Sequence, residues 1–258
     1  MIVIERHSRL QQIISQRGMA DVETLAAEIA VSSSTIRRDL EALEQQGLVK
    51  RTHGGVVWLG EKTSGTVRPY AFDQRMGYRN EAKLSIARAA RSLVQPGQTV
   101  LIDGGTTTFY LANELLGAEQ QLQLVTNSLP IANLFLNNEN VELILTGGLM
   151  YPRYGVLLGP QAEEMIGTIH TKTLFFSVAG VHESALYNQN VLLVSAEREM
   201  MRQSQEVVLL ADSSKFGQQA LARLCDLSEV DVVVTDAGID PAHRQMIEAA
   251  GCRIIVAD

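Results

Sequence analysis

The sequence predicts an α/β chain in two parts: a small N-terminal winged helix-turn-helix and a larger, mostly parallel C-terminal α/β domain. Three observations carry that expectation. The first fifty residues hold three apolar faces with helical spacing, separated by turn signals. From Glu81 onward short apolar runs alternate with helical stretches, as in parallel βαβ units. Most of those runs end in a small or polar residue, and in open α/β sheets the ligand crevice lies beyond the carboxyl ends of the strands.

Taken in order, Leu10, Ile13 and Ile14 share one face of a first helix, which Gly18 ends. Asp21 is placed to cap a second helix, with Val22, Leu25, Ala26 and Ile29 inward. After a tight turn at Val31-Ser32, Ser32 or Ser33 caps a third helix that buries Ile36, Leu40 and Leu43 and ends at Gly47. Residues 48–58 read as a hairpin with Gly54-Gly55 at or near its turn. The first domain is therefore expected over residues 1–58. Residues 59–80, with Gly60, Gly65 and Pro69 and no sustained period, are expected to be a linker. Over residues 81–258 the strand candidates are Thr99–Ile102, Leu122–Val125, Val141–Leu145, Leu174–Val178, Val207–Leu210, Val232–Val234 and Ile254–Val256.

Composition narrows the function. With 46% hydrophobic residues the 258-residue chain can bury a full core. It carries no apolar run long enough to span a bilayer and no secretory h-region at its start. Cys225 and Cys252 stand far apart in apolar settings, which suits a reducing compartment better than a disulfide or a metal site. A cytoplasmic protein without metal is expected. The net charge of −7 argues at first against nucleic acid, but residues 1–59 hold seven basic and seven acidic residues, so the rest of the chain carries the whole excess.

With Ile36 at the centre of the buried face of the third helix, Ser34 and Arg38 lie opposite it and Arg37 lies beside them. Ser33, Ser34 and Thr35 fill the first turn, where free N–H groups favour phosphate. Arg37 and Arg38 suit guanine edges or backbone phosphates, and Lys50, Arg51 and His53 on the hairpin suit the flanking backbone, as a wing does. Asp39 falls toward the buried side. The bland alternative is a three-helix bundle with an ordinary solvated charged face, or a helix-turn-helix used for protein contacts.

The run Val31-Ser-Ser-Ser-Thr-Ile-Arg-Arg-Asp-Leu40, then Leu43-Glu44 and Gly47-Leu-Val-Lys-Arg-Thr-His-Gly-Gly55, resembles the signature of the DeoR family of bacterial sugar-metabolism regulators. The resemblance continues through Phe72–Arg75, Asp103–Thr108, Thr126–Ser128 and Ala211–Phe216, and so covers nearly the whole chain. It implies a winged helix-turn-helix on double-stranded operator DNA and a second domain, similar to ribose-5-phosphate isomerase, that binds a phosphorylated sugar. It also implies a repressor that acts as a homo-oligomer, a dimer or tetramer.

In the second domain Asp103, Gly104, Gly105, Thr106, Thr107 and Thr108 form a strand end, a glycine turn and a helix start. The glycines let backbone approach a ligand, and the hydroxyls and helix N–H groups suit a phosphate. On pattern alone, a tight turn with a Thr-capped helix is equally open, and the resemblance favours phosphate. The loop has neither the P-loop Lys nor dinucleotide-fingerprint spacing, so no ATP, NAD or other cofactor is expected. Thr126, Asn127 and Ser128 read either as a helix cap or as crevice lining, and Gly147 and Gly148 as a turn or a contact. Arg153 falls in a candidate lid, and Lys215 is a candidate cationic partner for phosphate.

The isomerase resemblance also bears on catalysis. Its paired acids align with Ala179-Gly180-Val181-His182 here, and its Lys with Asn188. Of that acid–base set only Glu197 remains, which implies binding without turnover. An isomerase with a vestigial DNA-binding head is the alternative.

Overall fold

A computed structural model describes residues 3–17, 19–45, 48–52, 55–58, 72–117 and 121–258. The chain divides into two units, residues 1–78 and 79–258.

In the first unit α1 (Val3–Arg17) leads into a short strand β1 (Met19–Asp21), then α2 (Val22–Ile29) and α3 (Ser33–Gln45). A hairpin of β2 (Val49–Thr52) and β3 (Gly55–Trp58) follows, and β1 joins it as a third antiparallel strand, in the order β1-β3-β2. Asp21 caps α2 by accepting from Thr24 N–H at 2.8 Å, and Ala30 closes the helix in the left-handed conformation, φ 58°. Leu10, Ile14, Leu25, Ile36, Leu40 and Leu43 form the centre of this unit's core, the apolar faces expected from the sequence. Gly18, Gly47, His53 and Gly54 lie outside the described residues.

The expected linker holds an element that periodicity does not reveal. Phe72–Gly77 form α4, which packs on α1. A Cβ at Gly77 would stand 2.2 Å from Ser8 Oγ, so the two helices touch closely there. A helix of six residues is under two turns long, too short to show an amphipathic repeat.

The second unit starts with α5 (Asn80–Arg91), β4 (Thr99–Ile102), α6 (Thr106–Leu115), β5 (Leu122–Thr126), α7 (Leu129–Phe135) and β6 (Val141–Leu145). A hairpin of β7 (Leu149–Tyr151) and β8 (Val156–Leu158) precedes α8 (Pro160–Gly167) and β9 (Thr171–Phe176). Then come β10 (Gly180–His182), β11 (Ala185–Asn188), α9 (Val191–Arg202), β12 (Ser204–Leu210) and β13 (Ala222–Asp226). The chain ends with β14 (Val232–Asp236), α10 (Pro241–Ala249) and β15 (Arg253–Ala257).

Seven strands form one parallel sheet, in the order β15-β14-β12-β9-β4-β5-β6. All seven overlap the apolar runs of the sequence, although β9 starts three residues before the expected Leu174 and stops two before Val178, and β12 starts three before Val207. Side chains alternate between two cores. Leu101, Leu174, Phe176, Leu209 and Val233 face α8, α9 and α10, whereas Val100, Ile102, Phe175, Val208 and Val234 face α5, α6 and α7. From β4 the chain winds outward through β5 and β6, then returns to β9 on the other side and winds the opposite way. The order therefore reverses between β4 and β9, where such sheets open a crevice.

Candidate DNA-binding face and ligand crevice

Ser32 begins α3. Its hydroxyl accepts from Thr35 N–H at 3.3 Å and also meets the Ser34 and Thr35 hydroxyls at 2.9 and 2.8 Å. Ser33, one position on, donates to Glu23 Oε2 of α2 at 2.7 Å. Arg37 Nη2 lies 3.7 Å from the other oxygen of Glu23, an exposed and weak pair. Arg37 and Arg38 are both exposed on the side of α3 away from Ile36, and Arg38 has no ion pair among the described residues. Lys50 is also exposed.

Asp39 faces inward and is 3% exposed. Arg6 of α1 reaches it with Nε at 2.5 Å and Nη2 at 3.0 Å, and His7 Nε2 lies 2.9 Å from Oδ1. Burial raises the carboxyl pKa, but the Arg6 and His7 bonds outweigh it, so the group sits below the ordinary carboxylate value. The acid beside Arg38 thus fastens α3 to α1. Arg51 has a similar internal engagement. Glu44 accepts its N–H at 2.8 Å and its Nε at 3.4 Å, and Glu41 lies 3.9 Å from Nη1. The acids of α3 hold the wing strand through Arg51.

In the second unit the switch point between β4 and β9 is bridged by Asp103. Its Oδ1 accepts from Gly105 N–H at 3.0 Å and its Oδ2 from Ser177 N–H, just past β9, at 3.1 Å. Gly105 precedes α6, and no side chain caps that helix, so its first-turn N–H groups lack intrahelical partners. Thr108 donates back to the Asp103 and Gly105 carbonyls at 2.9 and 2.8 Å, while the hydroxyls of Thr106 and Thr107 have no hydrogen bond among the described residues.

The two glycines are first of all demanded by the protein itself. A Cβ on Gly104 would lie 2.0 Å from Val156 Cγ1, and one on Gly105 would lie 1.9 Å from Ser177 Oγ. Val156 arrives on the β7–β8 hairpin, which clasps the end of β5. Leu157 N–H donates to Asn127 O at 2.8 Å, and Asn127 Nδ2 returns a bond to Leu157 O at 3.2 Å. Asn127 Oδ1 is left buried without a partner among the described residues. Thr126 donates to Ile102 O at 2.7 Å, and Ser128 caps α7 by accepting from Ile131 N–H at 3.4 Å.

Behind the loop lies Glu197 of α9, 5% exposed. Asn188 Nδ2 donates to its Oε1 at 2.6 Å, and Oε2 is buried without a partner among the described residues. Burial, then the nearby Asp103 carboxylate, push the Glu197 carboxyl up to about 8 against the Asn188 bond. At neutral pH it is a neutral acid able to donate a hydrogen bond.

The contacts thus gather Asp103, Gly104, Gly105, Thr108, Thr126, Asn127, Ser128 and Glu197 around the carboxyl ends of the central strands β4, β5 and β9. They add Val156 and Ser177, which sequence reasoning missed, and give Asn188 a partner. Gly147 and Gly148 follow β6, and Lys215 follows β12, each two strand spacings from β4, roughly 10 Å. Gly148 has φ 126° and no room for a Cβ, which would sit 2.7 Å from Leu158 O. Arg153 is exposed at the turn of the β7–β8 hairpin. His182, in the segment aligned with the isomerase acids, lies on β10 with Nε2 3.6 Å from Glu183.

The comparisons with known proteins agree at both ends of the chain. A family model described as the DeoR-like helix-turn-helix domain matches residues 6–62, and one described as the DeoR C terminal sensor domain matches residues 79–237. A putative aga operon transcriptional repressor of Escherichia coli O157:H7 is 32% identical over 98% of this chain and 93% of its own length. The transcriptional regulator GlpR of Haloferax volcanii is 33% identical over 99% of this chain and 98% of its own. Among solved structures, ribose 5-phosphate isomerase A of Methanocaldococcus jannaschii is 19% identical, with 53% of this chain and 54% of that chain covered at a TM-score of 0.40. No helix among the described residues is long and apolar enough to cross a membrane. With both family models matched and curated relatives aligned nearly end to end, this chain belongs to the DeoR family of DNA-binding transcriptional regulators.

Proposed function

We propose that the chain is a cytoplasmic, homo-oligomeric repressor of a carbohydrate-utilisation operon, and that a phosphorylated sugar bound at the β4–β9 switch point controls its hold on the operator. The observation that carries the ligand reading is the pairing of two features at and beside that point: the first turn of α6, which no side chain caps, and the buried atoms Asn127 Oδ1 and Glu197 Oε2, which have no partner among the described residues. A phosphate ester meets the first with anionic oxygens and the second with sugar hydroxyls. A neutral Glu197 leaves one carboxylate, Asp103, in the crevice, and two backbone N–H groups already hold it, so repulsion of the phosphate is limited. On the head, Arg37 and Arg38 read bases and Lys50 meets phosphate. The names of the relatives, among them an aga operon repressor, favour repression of sugar genes.

Turnover is not part of this reading. Sugar-phosphate isomerisation needs a positioned base and an electrophilic stabiliser. Asn188 stands where the isomerase resemblance places a Lys, and an amide neither takes nor gives a proton. The test is a thermal-melt panel of sugar phosphates beside their free sugars, with a coupled isomerase assay in parallel. A phosphate ester at 100 times its dissociation constant stabilises the unit by about 2.7 kcal/mol, and its free sugar should do little. A shift with free sugars alone removes the phosphate reading. Turnover that disappears in Glu197→Ala or His182→Ala restores the enzyme.

A further inference from the structure

The first residue of the α/β unit has an unusual position. Arg79 adopts φ 52°, ψ 40°, a left-handed conformation that a non-glycine residue holds only where its surroundings fix it. Its guanidinium is fixed at three points. Nε lies 3.2 Å from Asp212 Oδ1, while Nη2 donates to Ser213 Oγ at 2.8 Å and to Asp236 Oδ2 at 3.1 Å. Asp212, two residues past β12, caps the 3-10 turn Ser213–Lys215, Ser213 starts that turn, and Asp236 ends β14.

Further bonds brace the knot, and only Asp212 Oδ2 in it is buried without a partner among the described residues. Asp236 also accepts from Ser213 N–H at 2.5 Å and Gly238 N–H at 3.1 Å, and Asp212 accepts from Ser214 N–H at 3.1 Å. A Cβ on Gly238 would stand 2.6 Å from Ser213 Oγ. On the backbone side, the Arg79 carbonyl accepts from Lys83 N–H at 3.1 Å and so starts α5. The turn that carries Lys215 is therefore wired by one side chain to the residue where the chain arrives from the DNA-binding unit.

We propose that Arg79 is a positioning residue for allosteric control: it passes the state of the Ser213–Lys215 turn to the start of α5, and so to the chain segment leading to the DNA-binding unit. A ligand anion that engages the turn shifts Ser213 against Asp236, and the guanidinium, shared among the three, must follow. Coupling of this kind needs a two-state element that both sites bias. The strained Arg79 backbone supplies it, since release of the guanidinium lets φ relax to the right-handed region. The proposal rests on the phosphorylated-ligand reading together with the expectation from the sequence that Lys215 is the cationic partner of that phosphate, so that the bound anion reaches the Ser213–Lys215 turn.

The test uses the full chain, inorganic phosphate at matched ionic strength as the probe, and a duplex enriched from a random pool by the wild-type protein. Arg79→Gly is the informative variant, because glycine adopts the left-handed conformation without strain and only the tie is lost. In the wild type, phosphate should raise the melting temperature, slow amide exchange at residues 79–83 and change duplex affinity by threefold or more, on the order of 0.6 kcal/mol. In Arg79→Gly the melting shift should persist while the other two responses vanish. If Arg79→Gly responds like the wild type, the relay is wrong. Ser213→Ala and Asp236→Asn supply a ligand-free arm, and each should speed exchange at the Lys83 amide about tenfold and alter duplex affinity, with the unit still folded. If phosphate shifts no melting in the wild type, the ligand reading fails and this arm alone decides the relay. Unchanged exchange and affinity in both variants overturn it.

Discussion

Basic residues of similar appearance in the sequence have different tasks once their neighbours are known. Arg37 and Arg38 are exposed, and among the described residues Arg37 has one ion pair, the weak contact with Glu23. Arg51 is occupied by Glu41 and Glu44. The expectation that Arg51 meets phosphate therefore shifts toward a structural part. Arg37→Ala and Arg38→Ala should each cost roughly 1–3 kcal/mol on a specific duplex if bidentate to a base, with little loss on random DNA. Arg51→Ala should lower the melting temperature of the head, and Glu44→Gln should reproduce part of that loss. A salt titration separates the two roles, since a residue at phosphate reduces the salt slope by about one. If Arg51→Ala leaves melting unchanged and reduces that slope, the wing contact is restored. Glu197 permits a second prediction at this scale. Its folded carboxyl titrates at about 8, above the ordinary glutamate value, so the native state keeps a proton that the unfolded chain has lost. Stability must then fall as pH rises through that window, with a slope approaching about 1.4 kcal/mol per pH unit. Glu197→Gln should remove the slope. Urea midpoints at several pH values between 5 and 8 give the check, and a mutant-to-wild-type difference independent of pH would contradict a buried neutral acid.

At the scale of elements, the glycine loop is held between two partners. Val156 of the hairpin presses on Gly104 from one side and Ser177 presses on Gly105 from the other. Gly104→Ala should destabilise the unit by roughly 1–3 kcal/mol, because a β-branched valine has little freedom to withdraw. Adding Val156→Ala should recover part of that loss, a coupling that a double-mutant cycle reads directly. Independent, additive losses would mean that Gly104 is needed for something other than hairpin contact. The same loop shows what a sequence reveals. The parallel strands were legible because strands buried on both faces read as continuous apolar runs, and Asp103 and Thr126 marked their open ends. The β7–β8 hairpin and the β10–β11–β13 sheet were not, because short strands in which apolar residues mix with Tyr, His, Asn, Arg and Asp present neither a continuous apolar run nor a clear period. Ser177 and Val156 gave no signal at all. Each presses on a glycine of the loop from more than fifty residues away in sequence, and no local pattern encodes such a contact. Asp212 and Asp236 are among the polar residues that follow the apolar runs, but their common partner Arg79 lay inside the stretch expected to be a linker.

For the molecule as a whole, the cores decide what can stand alone. Among the described residues, the apolar cluster of the first unit draws on residues 10 to 56, and the two large clusters of the second draw on residues 86 to 257. Each unit thus has an apolar core of its own, which is the physical condition for independent folding. The second, with a seven-stranded sheet covered by helices on both faces, is the larger reservoir of burial. A fragment of residues 79–258 should therefore fold cooperatively, with a melting temperature within a few degrees of the later transition of the full chain. It should also show the full stabilisation by a phosphate ester, since every residue proposed to hold that ligand lies within it. It should not bind duplex DNA. Calorimetry on the fragment and the full chain, each with and without ligand, gives the comparison. A fragment that melts early, or one that folds but no longer responds to the ligand, would mean that residues 1–78 complete the ligand site, and the crevice at β4 and β9 would be only part of it.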